Sequence, residues 1–81
     1  MPKQEDLPLR HRELIRALKK FGVMEKIKKG SRRMLFHSNV NGRPAFVPIH
    51  AHSENHEHSR KVVRSVRERF AISFKDFYEA L

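Results

Sequence analysis

The chain has 81 residues, with 18 Lys or Arg against nine Asp or Glu, six His and no Cys or Trp, for a formal charge of +9. A chain this short buries only about 60–65% of its unfolded surface, which leaves room for one small domain and none for a separate cofactor domain. Dinucleotide enzymes and two-domain hydrolases are excluded, and without Cys there is no disulfide framework, no thiolate metal site and no Cys nucleophile, so any chemistry rests on His, Arg, Lys or carboxylates.

No apolar run approaches the ~20 residues of a membrane span, and Met1 to Asp6 lack the apolar core of a signal peptide, so a soluble, cytoplasmic chain without a membrane partner is expected. The positive excess points to a polyanionic partner, because each Lys or Arg that meets a phosphate releases counterions. That excess is uneven: residues 23–50 hold six basic residues and one acid, and Lys26, Lys28, Lys29, Arg32 and Arg33 fall close together with no acid among them. Residues 1–8 read as an N-terminal tail and 9–81 as a single domain.

Leu14, Leu18 and Phe21 recur at helical spacing with Ile15 and Ala17 beside them, which predicts a first helix. Asp6 and Pro8 supply its start signal and Gly22 its stop. Arg12, Arg16 and Lys19 or Lys20 line its other side as a basic stripe, which reads either as a solvated helix face or as an RNA contact. From Val23 to Ile49 the helical period gives way to alternation between turns: Val23–Lys29, the Gly30-Ser31 turn, Arg32–Ser38, the Asn41-Gly42 turn and Ala45–Ile49. This predicts a three-stranded antiparallel meander, with Asn41-Gly42 as a type I′ hairpin turn. Pro44 and Pro48 cannot donate to a ladder, so the third strand is expected at an edge.

Val62, Val63, Val66 and Phe70 then mark a helix surrounded by arginines. Ser73-Phe74-Lys75-Asp76 resembles a capping box for a short last helix carrying Phe74, Phe77, Tyr78 and Leu81. The predicted fold is α+β, in the order α-β-β-β-α-α, with helices packed on one face of the sheet.

A tight hairpin turn also predicts facing. With Val40 opposite Arg43, Phe36 opposes Val47 and Met34 opposes Ile49 on a face for the helices to cover. The other face then carries Arg33, Leu35 and His37 with Phe46, Pro48 and His50, a set that could hold phosphate and abut a base. A bulge at Gly30-Ser31 would exchange which of Arg32 and Arg33 points outward. The run from His50 to His58, with Glu54 and Glu57, reads first as a mobile polar loop. A metal held by this tract is the lesser alternative, and no metal or other cofactor is assigned, since alternate residues of an extended segment point to opposite sides.

The ordered set Gly30-Ser31-Arg32-Arg33-Met34-Leu35-Phe36, Val47-Pro48-Ile49-His50, Ala71-Ile72-Ser73 and Phe77 resembles the HicA family of small toxins, mRNA interferases neutralised by HicB antitoxins. The resemblance covers roughly residues 9–81 and implies a fold like a double-stranded-RNA-binding domain, an mRNA substrate and a HicB-like partner. Family members carry a catalytic His directly after Gly-Ser; here that position is Arg32, which stays protonated and can bind phosphate or stabilise an oxyanion but cannot act as a base. If the chain cleaves RNA, His50 and His37 are the expected acid–base pair, with Arg32 at the family's catalytic position. Lys26, Lys28, Lys29, Ser31, Arg32, Arg33 and Phe46 are then the expected RNA-binding residues. A non-catalytic RNA-binding module of the same fold is the alternative.

Overall fold

A computed structural model describes residues 5–81. Helix α1 spans His11–Lys19 and buries Leu14, Ile15, Ala17 and Leu18, the stripe that the helical spacing predicts. Its start lies several residues beyond Asp6 and Pro8. Instead, the Glu13 carboxylate accepts from the Arg10 amide at 3.0 Å, and the free amides of His11 and Arg12 donate to the carbonyls of His56 (2.8 Å) and Glu54 (2.9 Å). The amides at a helix start need acceptors from somewhere, and here the histidine-rich tract supplies them. That tract is therefore held in place rather than mobile. Two residues of it, Glu57–His58 (β5), pair antiparallel with Leu9–Arg10 (β1). Gly22, at φ +85°, ends α1 as expected.

The main sheet has the order β2-β3-β4, formed antiparallel by Met24–Ile27 (β2), Arg32–Val40 (β3) and Arg43–His50 (β4). Asn41 and Gly42 both take positive φ (53° and 86°), as a type I′ turn requires. Strand β4 is an edge, in keeping with its two prolines. The element order is the predicted one with two short strands added.

The predicted facing of β3 is corrected. Val40 does oppose Arg43, but His37 opposes Ala45, so Ser38 and Asn39 together face the single residue Pro44. Pro44 has no N–H to give the ladder, and a β-bulge sits where the missing donor leaves the pairing weakest. Local bonds take over there: the Asn39 amide donates to His37 Nδ1 (2.9 Å) and the Gly42 amide to Asn39 Oδ1 (2.7 Å). One inserted residue exchanges the two faces of everything beyond it. Leu35, not Met34 or Phe36, is fully buried with Ala45 and Ile49 under the helices. Met34 and Phe36 turn outward beside Pro48 and Phe46.

Helix α2 (Arg60–Arg69) is capped by Ser59, and α3 (Phe74–Glu79) by Ser73, whose hydroxyl accepts from the Asp76 amide at 3.1 Å. Val63, Val66, Phe70 and Phe77 complete the core. Of the expected N-terminal tail, residues 1–4 lie outside the described residues, while Asp6 is buried and takes two bonds from the Arg67 guanidinium (2.9 and 3.0 Å) and one from the Tyr78 hydroxyl (2.8 Å). Those Arg67 bonds, against the effect of burial, hold the Asp6 carboxyl below its usual range, and burial pushes the Tyr78 hydroxyl up to about 12.

The bulged register makes a direct prediction. Leu35→Ala lowers the unfolding free energy by about 2–5 kcal/mol, the range for a buried Leu, whereas Met34→Ala costs clearly less. Urea denaturation of both variants measures this, and the reverse ranking would restore the unbulged register.

Candidate nucleic-acid interface

Cross-strand partners share a face, so the register arranges the outer side of the sheet in rows. Met24, Phe36 and Phe46 form one row, and Lys26, Met34 and Pro48 the next. A third row follows from Arg32 opposite His50, with the Lys28 amide donating to the Arg32 carbonyl at 2.9 Å to extend it onto the β2–β3 turn. Lys28, Lys29, Arg32 and His50 border an open groove of about 600 Å³. The Ser31 carbonyl accepts from the Ala51 amide at 2.9 Å and ties the two ends of the hairpin together there. Lys26, Lys28, Lys29 and Arg32 are exposed, and none of them enters an ion pair among the described residues. No acid lies on these rows.

The expected trio of Arg33, His37 and His50 on one face is therefore replaced by Lys28, Arg32 and His50. His37 lies on the inner side, opposite Ala45. Its Nε2–H donates to the Phe21 carbonyl at 2.8 Å, joining β3 to the end of α1, and its Nδ1 accepts from the Asn39 amide within β3, so both ring nitrogens are committed. Gly22 lies so close that a Cβ there would sit 3.0 Å from His37 Nε2. Arg33 also turns inward, where its Nη1 donates to Glu25 (3.1 Å) and Glu54 (3.0 Å). Its charge is spent inside the protein. Phe46 is 52% exposed and faces out as expected. Met24 and Phe36 are the residues at this surface that sequence reasoning missed. His56 lines, with His50, a second groove of about 310 Å³.

Arg33 belongs to a buried polar chain with no sequence motif to announce it. The His11 Nε2–H donates to Glu25 at 2.5 Å, and His11 Nδ1 and His58 Nε2 share a hydrogen bond of 2.9 Å. Burial pushes the Glu25 carboxyl up, but bonds from His11 and Arg33 outweigh it and hold the group below its usual value. Burial, reinforced by the charges of His11 and His56, pulls His58 down to about 4. His11, Glu25 and Glu54 are the one group among the described residues that brings three potential metal ligands together. The Arg33 guanidinium already occupies the cation's position between the two carboxylates. The histidine tract itself contributes only Glu54 to that group.

A second cleft, of about 620 Å³, runs along α2, but its arginines are largely neutralised: Arg60 pairs with Glu5, Arg64 with Glu68 and Arg67 with Asp6. The outer sheet face is thus a cationic surface without ion-pair partners among the described residues, as is the exposed stripe of Arg12, Arg16 and Lys19 on α1. No helix among the described residues is long and apolar enough to cross a membrane. No family model, curated protein or solved structure matches the chain.

The buried His58 sets an acid limit on the fold. Its folded-state value lies below the ordinary 6.5, so the unfolded chain binds the extra proton first. The stability it confers is complete above about pH 6.5 and is lost as pH falls toward 4, by about 3 kcal/mol in all. Urea midpoints measured from pH 8 to 4 should be level at first and then decline, and His58→Gln should flatten the decline. A level wild-type profile down to pH 4 would contradict the assignment.

Proposed function

We propose that this chain is a HicA-like toxin that binds RNA through the outer face of its sheet and cleaves mRNA there without a metal. The observation that carries this reading is the cross-strand row of Arg32 and His50, extended by Lys28, beside an open groove that no acid borders. A guanidinium and an ammonium supply donors for a phosphate, and an imidazole next to them supplies the one side chain able to take and give a proton near neutral pH.

In this scheme a phosphodiester lies along the groove with two of its oxygens on Arg32 and Lys28. His50 takes the proton of the adjacent 2′-hydroxyl as that oxygen bonds to phosphorus. The bond to the 5′ oxygen breaks, and the leaving oxygen takes a proton from solvent water, which the open groove admits. The products are a 2′,3′-cyclic phosphate and a 5′-hydroxyl. Arg32 and Lys28 lower the barrier by meeting the charge that gathers on the phosphoryl oxygens. His37 has no part in it, being committed on the inner face. A HicB-like antitoxin with acidic side chains would cover this surface and match its charge.

The non-catalytic alternative is favoured by one observation: Arg32 stands where the resembled family has its catalytic His. The two readings part on one assay, since wild-type protein that binds RNA in a salt-sensitive manner but never cuts it belongs to the second.

Induced expression of the wild type is expected to arrest growth, and His50→Ala to abolish both arrest and RNA cleavage. Arg32→Ala should weaken RNA binding and reduce its salt slope by about one. Unchanged cleavage by His50→Ala would remove His50 from the mechanism.

A further inference from the structure

The outer face carries more than the phosphate row requires. Met24 is 62% exposed and Phe46 52% exposed, and the Phe36 and Phe46 rings lie 4.9 Å apart in a tilted stack. An ordinary small protein would hide such side chains. These three form a continuous apolar row, two rows from Lys28, Arg32 and His50 and so about 13 Å away along the strands.

We propose that the row of Met24, Phe36 and Phe46 is a stacking platform for unpaired bases, so that the substrate is single-stranded RNA and duplex is rejected. This deepens the RNA-binding reading above and rests on it. The occupant is identified by charge and shape together. A face with an aromatic row at one end and exposed cations toward the other, with no acid on these rows, fits a polyanion that also has flat apolar surfaces. A single strand offers both. A duplex offers only phosphates and hydroxyls, because its base faces are stacked on one another. Base stacking on an aromatic side chain is tolerant of sequence, since every base has a π-face.

The test is fluorescence anisotropy with a labelled single-stranded RNA oligonucleotide and with the same strand annealed into a blunt duplex. The wild type should bind the single strand more tightly. Phe46→Ala should weaken single-strand binding about tenfold while leaving duplex binding and the salt slope unchanged. Phe46→Leu, which keeps an apolar group and so the fold, should lose as much, and Phe46→Tyr should restore it. Single-strand affinity unchanged in Phe46→Ala but lost in Arg32→Ala would overturn the platform and spare the RNA-binding reading. A wild type that binds neither RNA would overturn both. A dimer by sedimentation that Phe46→Ala turns into a monomer would assign the face to a second copy instead.

Discussion

One extra residue in β3, set against the N–H that Pro44 lacks, decides which side chains of this protein meet solvent. Before the bulge the hairpin follows its Asn41-Gly42 turn, with Val40 opposite Arg43; beyond it every residue of β3 has changed sides relative to that register. Leu35 enters the core and closes it with Ala45, Ile49 and the helical stripe of Leu14 and Leu18. Arg33 and His37 go inward with it and find polar partners there. Arg32, Met34 and Phe36 go outward, and so meet His50, Pro48 and Phe46. The composition of the proposed interface is a consequence of this exchange, since in the unbulged register Arg33 rather than Arg32 would face His50, and Phe36 would lie opposite Val47 under the helices.

The second constraint is polar. A small basic domain has few ways to bury charge, and this one runs a polar chain from the buried His58 and His11 through the partly buried Glu25 and Arg33 to Glu54 at the surface. Each member bonds to the next, which offsets much of the desolvation cost that an isolated group would carry, although the buried Arg33 Nε is left without a partner. The chain links β5, α1, β2 and β3, and so attaches the histidine-rich tract to the sheet. The carbonyls of that tract also complete the first turn of α1. A segment whose composition resembles a loose polar loop is thereby part of the scaffold, and its His56 ring lies against His58, 5.0 Å between centroids.

Much of the architecture was legible in the residues. Helical spacing from Leu14 to Phe21 and from Val62 to Phe70, the Asn41-Gly42 turn and the prolines of β4 lead to the α+β layout and the edge strand by local rules alone. The facing of β4 was legible as well, because Val47 and Ile49 alternate cleanly with Phe46 and Pro48. The facing of β3 was not. Both of its registers place apolar side chains inward, either Leu35 or Met34 and Phe36, so hydrophobic pattern does not choose between them. The choice rests on Pro44, whose effect is felt on the opposite strand. His11 and His58 were illegible for a related reason: they lie 47 residues apart and meet only when β1 and β5 pair. Asp6 looks like a helix start by composition, but its carboxylate is engaged by Arg67 and Tyr78 from the far end of the chain.

The most direct test of this account is the pattern of cross-strand nuclear Overhauser contacts in the β3–β4 hairpin. The bulged register predicts contacts between Phe36 and Phe46, Leu35 and Val47, and Arg32 and His50. Contacts between Phe36 and Val47, with Arg33 against His50, would contradict it and with it the outward-facing rows on which the proposed function stands.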